Sequence, residues 1–549
     1  MKKQFFLFLL PLALCSSILI SFSNDTEYFE VSKNLDIFNT LFKEVNIFYV
    51  DKVQPAKMVE TAINSMLKEL DPYTTYIPES DIEDFKFQTT GQYGGIGAVI
   101  RKKDDYVIIV EPYKGFPADI SGLVAGDKLI EIDGNSVKGK STEEVSSILK
   151  GQPGIGVEVL IERRGNSEYL TKKLTRDKIK VNSIPYKGVV SDNIGYIKLR
   201  SFTRNCANEV KRAILSLKKQ NNLQGLILDL RGNPGGLLNE SINICNLFMA
   251  KGLEVVSTKG KIDDWDKSYK TRQEPLDKEI PLVILINQSS ASASEIVSGT
   301  LQDIDRAVII GQKSFGKGLV QQTRKLSYNS QLKVTVAKYY TPSGRCIQAL
   351  DYSNKNKNGS VGKTPDSLKN EFYTLNGRKV YDGGGIDPDI RIKITEAPEI
   401  LISLISNQLI FDYATEYFLL NDTFPIDFDQ KDDYINYENF VDFVSDKDLK
   451  YKTQTEQSFS DLVEVSKKEY SKLQDPLSDV EKLLNDLKKN DIYKHKDEIL
   501  KYISQELLVR SHYREGAIKS SLNYDEAVLE SISVLSDTAK YYSILSIND

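Results

Sequence analysis

Residues 289–322 read SSASASEIVSGTLQDIDRAVIIGQKSFGKGLVQQ. The apolar run Leu282–Ile286 just ahead of them predicts a buried strand. Ser292–Ile304 then predicts a helix that opens on a serine, and Ala307–Gly311 predicts the next strand. Strands alternating with helices in this way build an α/β sheet. Beyond them Lys317 stands between Gly316 and Gly318. The chain has 2 histidines, His495 and His512, both near its C-terminal end. A serine hydrolase ordinarily takes its base from histidine. If Ser292 is a nucleophile, its base must be something else, and Lys317 is the candidate.

The same alternation extends outward from about Val181 to Lys393. Gly195–Leu199 predicts a strand and Asn208–Gln220 an amphipathic helix. Gly225–Leu230 is a continuous apolar strand, the pattern of a sheet covered on both faces, and it runs directly into Arg231-Gly232-Asn233-Pro234-Gly235-Gly236. Leu237–Ala250 predicts a helix and Leu332–Tyr339 a further strand, while residues 351–366 are polar and predict a surface loop.

Residues 88–176 differ in character. Short β-rich runs at Ile96–Arg101, Tyr106–Glu111, Lys128–Asp133 and Val157–Arg163 alternate with glycine turns. A helix is predicted at Thr142–Lys150, with Ser141 and Glu144 forming a capping box. Gly94-Gly95-Ile96-Gly97 precedes the first strand. Such a loop can turn backbone N–H groups toward one anion, and a peptide's terminal carboxylate suits it when the peptide adds a strand to an open edge. A tight hairpin entry would use the same glycines.

Residues 28–70 carry helical periodicity, with Leu35, Phe38, Leu41, Phe42, Val45 and Phe48 at spacings of three and four, then a second helix from about Ala56 to Leu70. Both read as ordinary core helices. From about Ala397 the chain turns rich in lysine, tyrosine and aspartate, with mixed helical periodicity and no catalytic motif. It reads as a helical accessory domain in which the two histidines are solvated.

At 549 residues the chain has room for about three domains of roughly 150 residues. The net charge of −5 excludes a generic nucleic-acid binder. Met1-Lys2-Lys3 followed by an apolar run from Phe5 to Ile20 predicts a signal peptide cut after Ser23, or else a retained anchor. Either way the bulk of the protein is expected outside the cytoplasmic membrane, in the periplasm or on the membrane's outer side. Leu14 before Cys15 is too large for a lipoprotein signal. Cys206, Cys245 and Cys346 have neither disulfide-framework nor metal-ligand spacing and read as small buried apolar residues.

A serine hydroxyl needs a base within hydrogen-bond reach. Lysine serves only when its pKa falls from about 10.4 toward 7–8 through burial or neighbouring charge. The flanking glycines let the backbone approach closely, and Phe315 and Leu319 could desolvate the amine. Gln321 lies four residues past Lys317. Their Cβ atoms would be about 6 Å apart on a helical turn but about 13 Å apart in a strand, so Gln321 can orient the amine only if the segment is turned. The first N–H after Ser292, that of Ala293, is a candidate oxyanion donor, and Gly235 or Gly236 could supply a second. A merely capped helix start would show the same serine cluster.

Taken together, Asp229-Leu230-Arg231-Gly232-Asn233-Pro234-Gly235-Gly236, Ser290-Ala291-Ser292-Ala293-Ser294-Glu295, Phe315-Gly316-Lys317-Gly318 and Gln321-Gln322 resemble the carboxyl-terminal processing proteases, the S41 serine peptidases. Tyr340–Arg345 and Gly384–Asp389 match later segments of that family, and Phe116-Pro117-Ala118-Asp119 through Asp133-Gly134 looks like the middle of a bacterial PDZ domain. The resemblance covers about residues 30–395.

It implies a multidomain α/β protein: a ClpP/crotonase-like core of repeated β-α units at 177–396, a PDZ domain at 88–176 and a helical segment at 24–87; it says little about 397–549, where periodicity alone predicts the mostly helical accessory domain. It implies a Ser–Lys dyad with a supporting glutamine on Ser292, Lys317 and Gln321, with Ser290 and Ser294 as fallback nucleophiles. It implies protein or peptide substrates with free C-termini, bound by the PDZ domain, and neither metal nor cofactor. It leaves room for an adaptor and for homo-oligomers. A non-catalytic PDZ scaffold and a crotonase-like acyl-CoA enzyme are the competing readings. The intact Ser292/Lys317 pair argues against the first, and export and the PDZ segment against the second.

Overall fold

The computed structural model describes residues 28–355, 361–393, 396–421, 423–426 and 434–546. The expected signal peptide and Cys15 lie outside the described residues. The chain divides into two compact units, Met1–Tyr76 and Ile77–Asp549. In the first, residues 28–48 and Pro55–Lys68 are helices. The periodicity is confirmed, but the expectation of core helices is not. Leu35, Phe38, Leu41 and Phe48 are 64%, 46%, 57% and 74% exposed, because an amphipathic stripe is buried only where a second apolar surface meets it.

The second unit is built around one sheet. Tyr186–Ser191 and Ile194–Lys198 pair antiparallel. Gly225–Asp229, Leu282–Ile286, Val308–Gly311 and Ile390–Arg391 then add in parallel, in that order. Successive side chains on a strand point to opposite faces, and here both faces are apolar. Leu226, Leu228, Leu282, Ile284 and Ile309 pack with the helices Cys206–Gln220, Leu238–Cys245 and Ala293–Asp303. Ile227, Val283, Leu285, Val308 and Ile310 pack instead on Leu522, Val528, Val534, Leu535, Tyr541 and Leu545. The C-terminal region therefore supplies the cover for one face of the sheet, which its mixed periodicity did not disclose.

A second sheet is antiparallel and includes Glu254–Gly260, Lys267–Lys270, Leu319–Lys325 and Gln331–Tyr340. Residues 351–366, expected as a loop, carry the paired strands Leu350–Lys355 and Val361–Lys363. Between residues 98 and 175 the strands Ala98–Lys103, Tyr106–Pro112, Lys128–Ile132, Gly156–Glu162 and Leu170–Thr175 form a separate sheet in that order, so Ala98–Lys103 is its outermost strand. Helix Thr142–Leu149 opens on the expected capping box: Glu144 N donates to Ser141 Oγ, and Ser141 N to Glu144 Oε2.

From Glu399 the described residues are helical, with their own core around Leu404, Phe440, Ile499 and Leu507. These helices also hold the 98–175 sheet: Lys103 pairs with Asp412, Arg514 with Glu111 and Arg164 with Glu416. His495 is half-buried, and His512 Nε2 bonds the Phe424 carbonyl at 2.6 Å, so neither is simply solvated. Cys206 and Cys245 are buried as expected, whereas Cys346 is only half-buried, and all three are free.

Candidate active site

The buried strand Leu282–Ile286 ends in a turn, and helix Ala293–Asp303 starts immediately after Ser292. Ser292 sits at φ 55°, ψ −112°, a backbone state that side chains other than glycine avoid. Holding a residue there costs of order 1–3 kcal/mol, and such strain gathers at functional sites.

The turn separates the three serines of the cluster. Ser290 and Ser294 are fully buried, their hydroxyls donated to the carbonyls of Leu230 at 2.8 Å and Asn233 at 2.9 Å. Ser292 instead lines a cavity of about 530 Å³, together with Lys317, Gln321, Ala293, Gly235 and Gly236.

Lys317 reaches this cavity from a tightly held loop. Ala349 N donates to the Gly316 carbonyl and Tyr339 N to the Gly318 carbonyl, each at 2.9 Å. A Cβ on Gly316 would lie 2.4 Å from the Ala349 Cβ, and one on Gly318 2.8 Å from Gln348 N, so only glycine fits beside Lys317. Of its apolar neighbours in sequence, Leu319 is buried and Phe315 is 47% exposed. Phe315 N donates to the Ser290 carbonyl at 3.0 Å, which ties this loop to the serine turn.

Gln321 lies in the extended strand Leu319–Lys325, not on a helical turn. The register shifts between Val320 and Gln321, a bulge of the kind that re-aims a side chain. Its amide donates to Thr335 Oγ1 at 3.2 Å. Of the two glycines offered as second oxyanion donor, Gly235 has its N–H on Asn233 Oδ1 at 2.9 Å. Gly236 has no acceptor for its N–H among the described residues. Gly235 serves a different purpose: a Cβ there would stand 2.9 Å from Ala293 N and 2.7 Å from the Ala291 carbonyl. Ala293 is at the first helical position, where an N–H has no acceptor within the helix.

Glu295 was not singled out from the sequence. It is fully buried, and its carboxylate accepts four bonds. Oε2 takes Ser292 N at 2.8 Å and Lys317 N at 2.9 Å, while Oε1 takes Ser314 Oγ at 2.6 Å and Gly316 N at 2.7 Å. One side chain thus ties the serine turn to the lysine loop. Burial pushes its carboxyl up, and the four donors act the other way. The Ser-x-x-Glu spacing of a capping box was the available signal, but it carries no hint of the lysine loop.

The segment between Asp229 and Gly236 is pinned as firmly. Asp229 is fully buried and accepts from Tyr196 Oη at 2.6 Å, Lys198 Nζ at 3.0 Å and Arg231 Nη2 at 2.7 Å. Burial works to raise its carboxyl, but Arg231 and Lys198 outweigh that and hold it well below the ordinary carboxylate range. The Asn233 carbonyl accepts from Ala291 N at 3.1 Å as well as from Ser294, clamping the glycine segment onto the serine turn.

Gly94 and Gly95 belong to strand Gln92–Gly95, paired with Asp177–Lys180. Ile96 is buried, and its carbonyl accepts from Ala118 N at 2.8 Å. A Cβ on Gly94 would lie 2.1 Å from the Gly151 carbonyl, which explains that glycine without any ligand. Tyr93 is half-buried beside this turn, and burial pushes its hydroxyl well above the ordinary tyrosine range. Gly97 has φ +75°, the left-handed state that this turn requires.

The model of peptidase family S41 matches residues 193–354, a PDZ domain model matches 108–163, and the model of the C-terminal helical domain of a probable PDZ-protease matches 400–535. A carboxy-terminal-processing protease of Bartonella bacilliformis is 38% identical over 321 residues, 58% of this chain and 73% of that protein. A probable CtpA-like serine protease of Staphylococcus haemolyticus is 38% identical over 309 residues, which cover 56% of this chain but only 61% of that protein. Among solved structures, a photosystem II D1 C-terminal processing protease aligns at 28% identity over 65% of this chain and 92% of its own, with a TM-score of 0.36. The chain belongs to the carboxy-terminal-processing proteases of peptidase family S41, serine-type peptidases, and it carries a PDZ domain and a helical C-terminal domain.

Proposed function

We propose that the protein is an exported serine endopeptidase that cuts proteins near exposed, apolar C-termini, with Ser292 as nucleophile and Lys317 as general base. The observation that carries this reading is the meeting of Ser292, strained and at a helix start, with Lys317 in one cavity. Lys317 takes the Ser292 proton as the hydroxyl attacks the scissile carbonyl, then returns it to the leaving amine. The N–H groups of Ala293 and Gly236 receive the oxyanion, and Gln321 steadies the lysine side of the cavity. The Gly94–Gly97 turn holds the substrate's terminal carboxylate while the tail adds to the edge strand Ala98–Lys103. Domains are assigned at 24–87, 88–176, 177–396 and 397–549, behind a leader at 1–23. Among the described residues no helix is long and apolar enough to cross a membrane.

The test is labelling with a fluorophosphonate probe together with cleavage of an unfolded substrate ending in Val-Ala. The wild type should be labelled on Ser292 and should cleave. Ser292→Ala should do neither, with a loss of about 10⁶ in kcat and an unchanged melting temperature. Retention of more than about a hundredth of the activity would remove Ser292 from the role. A wild type that binds tails but is never labelled would favour the scaffold reading.

A further inference from the structure

The segment that ends at Gly235 and Gly236 is held by a residue from far along the chain. Arg231 donates from Nη2 to Asp229 at 2.7 Å on one side. On the other it meets Asp525, from Nη1 to Oδ1 at 2.9 Å and from Nη2 to Oδ2 at 2.8 Å. The guanidinium is thus shared between two carboxylates. Arg231 and Asp525 are only 20% and 22% exposed, so the pair is shielded from much of the screening that weakens surface ion pairs.

Asp525 is itself fixed. It caps helix Glu526–Ser536, its Oδ1 accepting from Ala527 N at 3.0 Å and Val528 N at 3.3 Å. That helix lies over strand Gly225–Asp229, where a Cβ on Gly225 would stand 3.2 Å from Leu535. One end of the helix therefore packs on the start of this strand, and the other end grips the loop that follows it.

We infer that Asp525, in the C-terminal helical domain, is a positioning residue for the oxyanion loop and acts on it through Arg231. The inference rests on the protease reading above. Asp229 alone holds Arg231 from the strand side. Asp525 fixes the opposite side and so sets the direction in which residues 232–236 leave the sheet. A small shift of that loop moves the Gly236 N–H relative to Ala293, and misplacement by about 1 Å can cost about 10²-fold in rate. The substrate's ground state depends less on these two donors than its oxyanion does, so the effect belongs in kcat.

Two substitutions separate positioning from structural support. Asp525→Asn keeps the helix cap, since asparagine caps about as well as aspartate, but loses the charge. Asp525→Glu keeps the charge but weakens the cap. We expect Asp525→Asn to lower kcat about tenfold with KM and melting temperature near wild type, and Asp525→Glu to recover kcat while melting lower. Activity would then rank opposite to stability. If kcat follows the melting temperature across the two variants, or if Asp525→Asn cleaves within twofold of wild type, the inference is overturned while the protease reading stands. A wild type that fails to cleave at all overturns both.

Discussion

At the scale of single residues the proposed chemistry turns on an amine that must lose its proton. Lys317 sits half-buried in the cavity with Ser292, on a loop whose backbone is bonded at Gly316, Lys317 and Gly318. Arginine would keep the charge but cannot be deprotonated in a protein. Lys317→Arg should therefore fall with Lys317→Ala, by about 10²- to 10⁴-fold in kcat. The wild-type rate should rise with pH as the proposed base loses its proton. A pH–rate profile and the Arg variant measure both; an active Arg variant would reduce Lys317 to a fixed charge.

At the scale of elements, function depends on turns with no room to spare. Gly235 lies against the serine turn at φ +100°, with the Ala291 carbonyl 2.7 Å from where a Cβ would sit. Gly235→Ala should push the two loops apart and lower kcat by about 10²-fold or more, with peptide binding to the PDZ domain unchanged. The turn proposed for the carboxylate makes a different prediction. A peptide ending in free Val-Ala should bind about tenfold or more tighter than its amidated form, the worth of one hydrogen bond to a charged group, about 1.5–3 kcal/mol. Calorimetry on the full chain measures this, and equal affinities of the two peptides would show that the turn does not grip the carboxylate.

At the scale of the whole molecule the C-terminal helical region is part of the protease rather than an appendage. Its Leu535 is 6% exposed and closes one face of the core sheet over Gly225. Leu535→Ala should cost about 2–5 kcal/mol, read as a lowered melting temperature of the whole cooperative unit. If these helices were an independent accessory, a separate early transition would appear and the protease core would melt as before. The same helices bond the PDZ sheet through Asp412 and Arg514 and the proposed oxyanion segment through Asp525 on Arg231, so one region touches both.

The alternation of strands and helices from Gly195 to Tyr339 was legible in the sequence, because each apolar run is long enough and distinct enough to state its own period. So were the PDZ strands, the Ser141 capping box and, from two distant histidines, the need for a base other than histidine if Ser292 is the nucleophile. Those are local properties. The choice of Ser292 over Ser290 and Ser294 came from likeness to a family, and the physical difference between the three is tertiary. Hydroxyls two residues apart look equivalent until the Asn233 and Leu230 carbonyls, roughly sixty residues away, bury two of them. Glu295 was visible only as a cap, since its bonds to Lys317 and Gly316 join loops that sequence spacing does not relate. The bulge at Gln321, the loss of the Gly235 N–H to Asn233 and the grip of Asp525 on Arg231 were likewise settled only by packing. Periodicity reports which face of an element is apolar; which distant surface covers it is decided when the chain has closed on itself.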